Sequence, residues 1–443
     1  MEHSAPAIRS ITFQAVPPET HLRRQVIAQR QVELLRPLLR GLIPENAFYT
    51  AKFETADVPA KVSHLGDFYE RFPFTTKQEL MANQSAFPPY GNNLTFPLER
   101  YTRCHQTSGT SSTPMRWLDT TESWEWMLQN WSVIFRASNI TAADVAFFAF
   151  SFGPFIGFWL AFEAAQRAGI RCIAGGGMSS VARLRNIFDH GATVLFCTPT
   201  YALHLIEVAS TNGFDLKTSP VKTILVAGEP GGSIPATRQR IMDAWSGARV
   251  VDHHGMTEVG PVTFECPARP HVLHVIETAY IPEIIDPATG AHRAAGESGE
   301  LVLTTLGRHG SPLIRYRTGD LVKASVENIC TCGRSDLALE GGILGRTDEM
   351  ILVRGVNVYP GAIEEILRQH GAVSEYQVRL PGSPDLQQIA IDVEPFPGRS
   401  DPDLAAALEG ALQTALHLRI PVHVVRPGSL PRFEMKASRW IRQ

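Results

Sequence analysis

The sequence predicts an α/β protein with a largely parallel sheet, followed by a small α+β domain at its carboxyl-terminal end. From about residue 140, short apolar runs alternate with amphipathic segments, and this alternation is typical of βαβ units with parallel strands. After Gly345 the pattern changes to strand, helix, strand, strand, helix, strand, which is the βαββαβ order of a ferredoxin-like domain. We therefore expect two domains, comprising residues 1–345 and 346–443.

The large domain is predicted to contain helices and strands in regular succession. A first helix is expected over residues 22–41, where apolar residues recur at helical spacing opposite arginine and glutamine. The parallel strands are expected at Val145–Phe150, Arg171–Ala174, Thr193–Cys197 and Thr223–Val226. The intervening helices are expected at Phe158–Arg167, Val181–Phe188 and Tyr201–Ala209. Residues 270–325 have turn-punctuated strand patterns, so further sheet structure is predicted there.

The small domain is predicted from the periodicity beyond the junction at residues 346–349. Its strands are expected at Met350–Val358, Tyr376–Leu380, Gln388–Val393 and Pro421–Val425. Its helices are expected at Pro360–Gln369 and Asp403–His417. Proline suits the first position of a helix, because the N–H that it lacks would have no intrahelical partner there.

Composition and charge exclude several classes of protein. Hydrophobic residues make up 44% of the 443 residues and charged residues 19%, which indicates a globular chain, and a net charge of −3 offers nucleic acid no general attraction. Residues 145–162 are uncharged and long enough to suggest a membrane span, but Gly153 and Pro154 interrupt them, which favours a strand, a turn and a helix. Residues 1–17 have no apolar core, and six cysteines are too few for a disulfide scaffold, so we expect a cytoplasmic protein.

The most informative segment is the hydroxyl-rich run from His105 to Pro114. Six of its ten residues carry hydroxyl groups, and its glycine permits a sharp turn, so its backbone and side chains could bind a polyanion. The GxxxxGK[ST] pattern of the P-loop does not occur. Further motifs follow in a fixed order, namely Val226-Ala227-Gly228-Glu229-Pro230, His254-Gly255-Met256-Thr257-Glu258, Tyr316-Arg317-Thr318-Gly319-Asp320, Gly345-Arg346-Thr347-Asp348-Glu349 and the lysine Lys436.

This series of motifs resembles the adenylate-forming superfamily of acyl-CoA synthetases and adenylation domains. The run from Gly355 to Pro360 makes the chain most similar to the phenylacetate-CoA ligase branch, and the resemblance covers roughly residues 100–443. It implies a large multi-sheet domain with the ATP and acid sites and a small mobile domain. It also implies that ATP with Mg²⁺ activates an aromatic carboxylic acid as aryl-AMP, which is then transferred to coenzyme A.

The acid and its acceptor stay open at this point. Phenylacetate, benzoate, hydroxybenzoate and anthranilate all suit the resemblance. The alternative acceptor is a carrier protein or an amine. The alternative to an enzyme is a catalytically inactive homologue that binds nucleotide. A homodimer is one candidate assembly.

The resemblance also implies roles for individual residues in binding ATP. The phosphate loop would comprise Thr107, Ser108, Gly109, Thr110, Ser111 and Thr113. The adenine slot would lie between Gly228, Glu229 and Pro230 on one side and Asp252, His253, His254 and Gly255 on the other. Asp320 and Arg346 would bind the ribose. One departure is His254, because the family usually has tyrosine there, although an imidazole can also stack on adenine.

The catalytic roles are implied in the same way. Thr257 would lie near the α-phosphate, and Glu258 would bind Mg²⁺, a hard cation that prefers carboxylate and phosphate oxygens. Lys436 would bridge the carboxylate of the acid and the α-phosphate during adenylation. Asp348 would be the hinge about which the small domain rotates, since a few terminal residues can absorb such a change.

Two further sites are less sharply defined. The acid pocket would be formed by Phe152, Phe155, Ile156 and Gly157, which favours a flat aromatic acid over a long fatty chain. A structural zinc site would be formed by Cys266, Cys330, Cys332 and His274, with His271 as a rival for the fourth position. Zinc prefers such soft and imidazole donors, and four protein ligands leave no position open for catalysis.

Overall fold

The computed structural model describes residues 23–59, 61–107, 114–353, 356–381, 388–396, 402–433 and 437–442. The predicted residues outside this part of the chain are Ser108, Gly109, Thr110, Ser111, Thr113, Gly355 and Lys436.

The large domain begins with helices that cover one side of its sheets. These are α1 (Arg24–Leu42), α2 (Ala47–Thr55), α3 (Leu65–Arg71) and α4 (Lys77–Ala86). Their apolar residues, such as Tyr49 and Phe68, form a separate small core with Ile281, Leu306 and Ile314. A hairpin of β1 (Tyr101–Gln106) and β2 (Arg116–Thr120) follows, and α5 (Thr121–Ala137) leads from it into the central sheet.

The central sheet has five parallel strands in the order β4-β3-β5-β6-β7. The strands are β3 (Val145–Phe148), β4 (Arg171–Ala174), β5 (Val194–Cys197), β6 (Thr223–Val226) and β7 (Arg249–Asp252). The helices that connect them are α6 (Ile156–Arg167), α7 (Ser180–Asp189), α8 (Pro199–Asn212) and α9 (Pro235–Ala244). Helices on both faces bury the middle strands, which explains their continuous apolar sequences.

The predicted strands and helices of this region are confirmed, with shifts of a few residues at their ends. The segment 145–162 forms a strand, a turn and the start of α6, and no helix of the described residues is long and apolar enough to cross a membrane. Because β3 lies between β4 and β5, the connections reverse direction beside it, and ligands of such sheets bind at the carboxyl ends of the strands near this reversal.

The other named strands after β7 in the large domain pair antiparallel, and the sequence pattern after residue 270 predicts strands there without their direction. Its strands are β8 (Gly255–Met256), β9 (Gly260–Pro261), β10 (Thr263–Glu265), β11 (Val272–Val275), β12 (Tyr280–Ile285), β13 (Ser298–Thr305), β14 (Tyr316–Lys323), β15 (Ala338–Glu340) and β16 (Gly345–Arg346). The four-stranded sheet β12-β13-β14-β16 includes the residues on both sides of the predicted domain boundary. Arg346 therefore still belongs to a strand of the large domain.

The small domain is α+β, in agreement with the prediction, but its sheet is composed differently. Its elements are β17 (Ile351–Val353), β18 (Val356–Val358), α10 (Pro360–Gln369), β19 (Val373–Leu380), β20 (Ala390–Pro395), α11 (Leu404–Leu416), β21 (Val422–Val424) and β22 (Trp440–Arg442). The sheet order is β21-β20-β19-β22, and β17 pairs only with β18 among the described strands. The single strand predicted at Met350–Val358 is thus a separate hairpin, and the carboxyl-terminal strand β22 pairs with β19 in the sheet. Arg439 stabilises this pairing, since its Nε donates to Glu375 on β19 at 2.6 Å.

Candidate active site

The predicted site residues gather at the carboxyl edge of the parallel sheet. Gly228 and Glu229 directly follow β6, and His253 and His254 directly follow β7. Because parallel strands end at the same edge, these segments lie side by side around the crevice. The motifs that follow β6 and β7 are therefore neighbours at this edge of the sheet.

Asp320 and Arg346, which are predicted to bind the ribose, contact each other and lie beside His254 of the predicted adenine slot. Arg346 Nη1 donates to one carboxylate oxygen of Asp320 at 3.0 Å, and His254 Nε2 lies 3.2 Å from the other. Gly319 has a φ of 77°, and a Cβ there would lie 2.7 Å from Arg346 Nη2. Only glycine therefore leaves room for the guanidinium group, which explains the Thr-Gly-Asp sequence of this motif.

Glu258 is a buried carboxylate, with a fractional exposure of 3%. Its Oε1 lies 3.5 Å from Lys77 Nζ and accepts from the hydroxyl of Tyr316 at 3.4 Å. Proteins usually bind Mg²⁺ through one or two carboxylates together with phosphate oxygens of the substrate. Glu258 fits that requirement, and Lys77 adds a positive charge that the sequence motifs do not reveal.

Arg308 is a second residue that the sequence analysis missed. Its Nη1 donates to the carbonyl oxygens of Thr257 and Glu258, at 2.8 Å each. Its Nε and Nη2 donate to the two carboxylate oxygens of Asp119 at 2.7 and 2.6 Å, and both side chains have an exposure of 0%. Arg308 thus holds the backbone of the Thr-Glu motif, and no local sequence pattern marks it because Asp119 lies 189 positions away.

The two predicted walls of the adenine slot differ in detail from the expectation. Asp252 accepts from the hydroxyl of Ser233 and, at 3.0 Å, from the N–H of His253, and burial raises the pKa of Asp252 to about 6. His253 Nδ1 lies 2.7 Å from the carbonyl oxygen of Thr263, and burial lowers the pKa of His253 to about 4. The side chains of Asp252 and His253 thus contact groups in the interior of the domain, whereas the side chain of His254 lies next to Asp320.

On the opposite wall, Glu229 has a specific set of partners. One carboxylate oxygen accepts from the N–H of Thr200 at 2.9 Å, and the other accepts from the N–H of Ala437 at 2.8 Å. Gly228 has a φ of 96° and Pro230 is exposed. The carboxylate therefore points to the start of α8 and to the carboxyl-terminal tail, which the sequence does not predict.

The described end of the predicted phosphate loop is held firmly. The N–H of Thr107 donates to the carbonyl oxygen of Met115 at 3.0 Å, and the N–H of Met115 donates to Thr107 Oγ1 at 3.1 Å. The N–H of Gln106 donates to the carbonyl oxygen of Pro154 at 2.9 Å. The phosphate-loop strand and the predicted acid pocket are thus direct neighbours. Gly255 packs tightly against the neighbouring strand β9, because a Cβ there would lie 2.8 Å from the carbonyl oxygen of Gly260.

The four predicted acid-pocket residues have different environments. Phe152 is half-buried and its ring packs edge-on against Trp159 and Phe162, with centroids 5.2 and 5.3 Å away. Phe155 is also half-buried, whereas Ile156 belongs to the main core of the domain. A Cβ on Gly157 would meet nothing within 4 Å. Phe152, Phe155 and Gly157 thus border accessible space, and Ile156 packs behind them.

Cys266, Cys330, Cys332 and His274 form a compact cluster. One ligand atom from each lies within 4.8 Å of the others, with Cys266 Sγ 3.6 Å from Cys330 Sγ and Cys332 Sγ 3.5 Å from His274 Nε2. His274 Nδ1 lies 3.2 Å from the carbonyl oxygen of Asp336, an orientation typical of metal-binding histidines. The rival His271 is directed to the carbonyl oxygen of Ser233 instead. The cluster fits the tetrahedral ligand set of zinc.

The small domain contacts helices α8 and α9 of the large domain. Arg432 Nε donates to Glu207 at 2.9 Å, and Arg439 Nη1 donates to Thr200 Oγ1 at 3.2 Å. Glu365 on α10 accepts from the N–H of Ala236 at 3.1 Å, at the start of α9. The tail that contains the predicted catalytic lysine is therefore anchored beside the crevice.

Comparisons with known proteins agree with this geometry. A family model described as AMP-binding enzyme matches residues 106–307, and one described as AMP-binding enzyme C-terminal domain matches residues 355–443. The phenylacetate-coenzyme A ligase of Thermus thermophilus is 31% identical, over 85% of this chain and 83% of its own. The chain belongs to the AMP-binding family of adenylate-forming enzymes. The Escherichia coli phenylacetate-coenzyme A ligase is also 31% identical to this adenylate-forming enzyme, over 92% of this chain and 93% of its own.

Solved structures extend the likeness to the arrangement of the domains. A 2-hydroxyisobutyryl-CoA ligase in its postadenylation state, in complex with an acyl-AMP, has a TM-score of 0.90 at 26% identity, covering 96% of this adenylate-forming enzyme and 91% of the ligase. The same ligase in its thioesterification state has a TM-score of 0.68. The small domain here therefore has the postadenylation-like arrangement. By these likenesses, the adenylate-forming enzyme is an AMP-forming acyl-CoA ligase.

Proposed function

We propose that this ligase activates an aromatic carboxylic acid and transfers it to coenzyme A. In the first step a carboxylate oxygen attacks the α-phosphorus of ATP, the bond to the bridging oxygen breaks, and pyrophosphate leaves. In the second step the thiolate of coenzyme A attacks the acyl carbon, AMP leaves, and a thioester forms. Such chemistry depends on orientation and on neutralising charge as it develops.

The observation that carries the proposal is the meeting of Asp320, Arg346, His254 and Glu258 at one crevice, with the contacts given above. Asp320 would accept from the ribose hydroxyls, with Arg346 holding its carboxylate in place. Glu258, with Thr257 beside it, would hold Mg²⁺, which supplies positive charge next to the phosphates when bound. Lys436 would contact both the acid and the α-phosphate, and the anchored residue Ala437 supports a position for it near the crevice.

An aromatic acid is favoured by the ring system beside the phosphate-loop strand. Phe152 and Phe155 are half-buried, and the T-shaped contact of Phe152 with Trp159 offers an edge on which a flat ring can pack. Gly157 leaves space next to them. A small hydroxy acid is a second candidate, because the similar solved ligase binds 2-hydroxyisobutyryl-AMP.

The proposal is tested by measuring acid-dependent pyrophosphate release. The panel comprises phenylacetate, benzoate, hydroxybenzoate, anthranilate and 2-hydroxyisobutyrate, each with and without coenzyme A, and with a carrier protein as alternative acceptor. We expect an aromatic acid to give the highest kcat/KM, and coenzyme A to yield a thioester. A preference for 2-hydroxyisobutyrate would contradict the aromatic pocket, and transfer to carrier protein alone would contradict coenzyme A.

The role of Lys436 is tested by Lys436→Ala. Pyrophosphate release should fall by about a hundredfold or more, because a charge contact made in the transition state is lost. Thioester formation from synthetic acyl-AMP should persist, since the second step does not use this lysine. An equal loss of both half-reactions would contradict the assigned role.

The domain assignment is part of the same proposal. We assign residues 1–345 and 346–443 to the two domains, with Arg346 as the last residue to pair with the large-domain sheet. Asp348 lies two residues after Arg346, and its side chain is 67% exposed, which suits a hinge residue. Zinc bound by Cys266, His274, Cys330 and Cys332 would tie the turn after β10 to the loop before β15, without taking part in the chemistry.

A further inference from the structure

Glu229 links two parts of the molecule that belong to different domains. One carboxylate oxygen accepts from the N–H of Thr200 in the large domain, and the other accepts from the N–H of Ala437 in the tail of the small domain. Both are hydrogen bonds to a charged acceptor, which are stronger than those between neutral groups. The nucleotide motif after β6 and the tail are therefore joined through one side chain.

The large-domain half of this link presets the direction of the carboxylate. Helix α8 begins with Pro199, and the Thr198 hydroxyl accepts from the N–H of Tyr201 at 3.1 Å. The N–H of Thr200 has no partner within the helix, and Glu229 satisfies it. The partial positive charge at the start of α8 also attracts a carboxylate group. This half of the link does not depend on where the small domain lies.

The small-domain half acts next to the proposed catalytic lysine. Ala437 follows Lys436 directly in the sequence, so Glu229 holds the backbone at the residue next to the proposed catalytic lysine. Arg432 and Arg439, on either side, contact Glu207 and Thr200 of the large domain. These arginines hold the two ends of the segment, and Glu229 is the contact nearest to the lysine among the described residues.

We infer that Glu229 is a positioning residue for adenylation: its carboxylate holds the backbone beside Lys436 in the postadenylation-like arrangement, rather than serving mainly as a wall for adenine. This inference rests on the proposed function, because it needs Lys436 to act in the first half-reaction. It predicts that Glu229 contributes to the rate of adenylation, but neither to the affinity for ATP nor to thioester formation.

The experiment compares Glu229→Gln with Glu365→Gln. Glutamine keeps the shape and one acceptor oxygen of Glu229, so one of the two N–H groups loses its partner. Glu365 is a matched control, because it is also an interface carboxylate that accepts one backbone N–H, but its donor is Ala236 of α9 and not a residue of the tail. Amide hydrogen exchange of the tail peptide containing Ala437 gives a readout that needs no activity.

For Glu229→Gln we expect kcat of pyrophosphate release to fall about tenfold to a hundredfold, as for one lost hydrogen bond to a charged group. KM for ATP and thioester formation from synthetic acyl-AMP should be unchanged, and the tail amide should exchange faster than in Glu365→Gln. A raised KM for ATP at unchanged kcat would overturn the inference in favour of an adenine wall. Unaltered tail exchange, or equal acceleration in both variants, would overturn it too.

A failure of the proposed function would look different. In that case the wild-type enzyme would release no pyrophosphate with any acid, or Lys436→Ala would retain full adenylation, whatever Glu229→Gln does. A second variant, Glu229→Ala, removes both hydrogen bonds and should show the larger loss. If its loss in kcat is smaller than that of Glu229→Gln, the bridging role is wrong.

Discussion

The ion pair of Arg308 and Asp119 permits a test that separates stability from catalysis. In Arg308→Met the carboxylate of Asp119 stays buried without its bidentate partner, and removing one member of a buried pair typically costs about 3–5 kcal/mol. The carbonyl oxygens of Thr257 and Glu258 lose their shared donor at the same time. We therefore expect both a less stable large domain and slower adenylation.

The double variant Arg308→Met/Asp119→Asn distinguishes the two effects. It leaves no unpaired buried charge, so we expect it to recover about 2 kcal/mol of stability relative to Arg308→Met. The Thr257 and Glu258 carbonyl groups remain without their donor, and a shift of the motif by about 1 Å can cost about a hundredfold in rate. Adenylation should accordingly stay about a hundredfold slower in both variants.

The assay combines denaturant or thermal unfolding with steady-state pyrophosphate release, at a temperature where every variant is folded. Circular dichroism and gel filtration serve as controls for folding. Recovery of the adenylation rate together with stability in the double variant would refute the reasoning, because it would mean that the contacts with the Thr-Glu backbone do not matter for the reaction.

Three further outcomes follow from the structure. Purified protein should contain about one zinc per chain by elemental analysis, and Cys332→Ser should lower its thermal stability with little effect on the chemical step; metal-free wild-type protein of equal stability would contradict this. Asp348→Pro fixes φ near −65° and should retain adenylation but lose thioester formation. The control Asp348→Ala loses an exposed ion pair with Arg346 and should retain both half-reactions. Burial lowers the pKa of His105 to about 4, so as the pH falls His105 takes up a proton in the unfolded chain before it does so in the folded protein. The free energy of unfolding should therefore fall as the pH drops from about 6.5 to about 4. In His105→Phe, acid denaturation should show a weaker dependence on pH over this range.

The parallel sheet could be predicted from sequence because its strands are buried on both faces. Strands such as Val194–Cys197 and Thr223–Val226 are continuous apolar runs of the kind that this environment selects. Strand β22 could not be predicted in this way. It has only three residues, and its pairing depends on the contact of Arg439 with Glu375, which lies 64 positions earlier.

The residues of the candidate site also fall into those that the local sequence indicates and those that it does not. Asp320 and Glu258 lie in motifs whose local sequence is distinctive, and both were identified without a structure. Arg308, Lys77 and the link through Glu229 depend on contacts between distant segments, and such contacts leave no periodic or local pattern in the sequence. Side-chain direction is also inaccessible from sequence, so the sequence alone does not show that Asp252 and His253 are buried.

The two arginines of the tail have a consequence for how easily the domains can separate. Each contacts both domains: Arg432 binds Glu394 of the small domain as well as Glu207, and Arg439 binds Glu375 as well as Thr200. When the small domain moves away, each arginine keeps its own carboxylate and gives up only the partner on the other side. Neither of these two guanidinium groups loses its own carboxylate, so these contacts can break and re-form with a small change in electrostatic free energy.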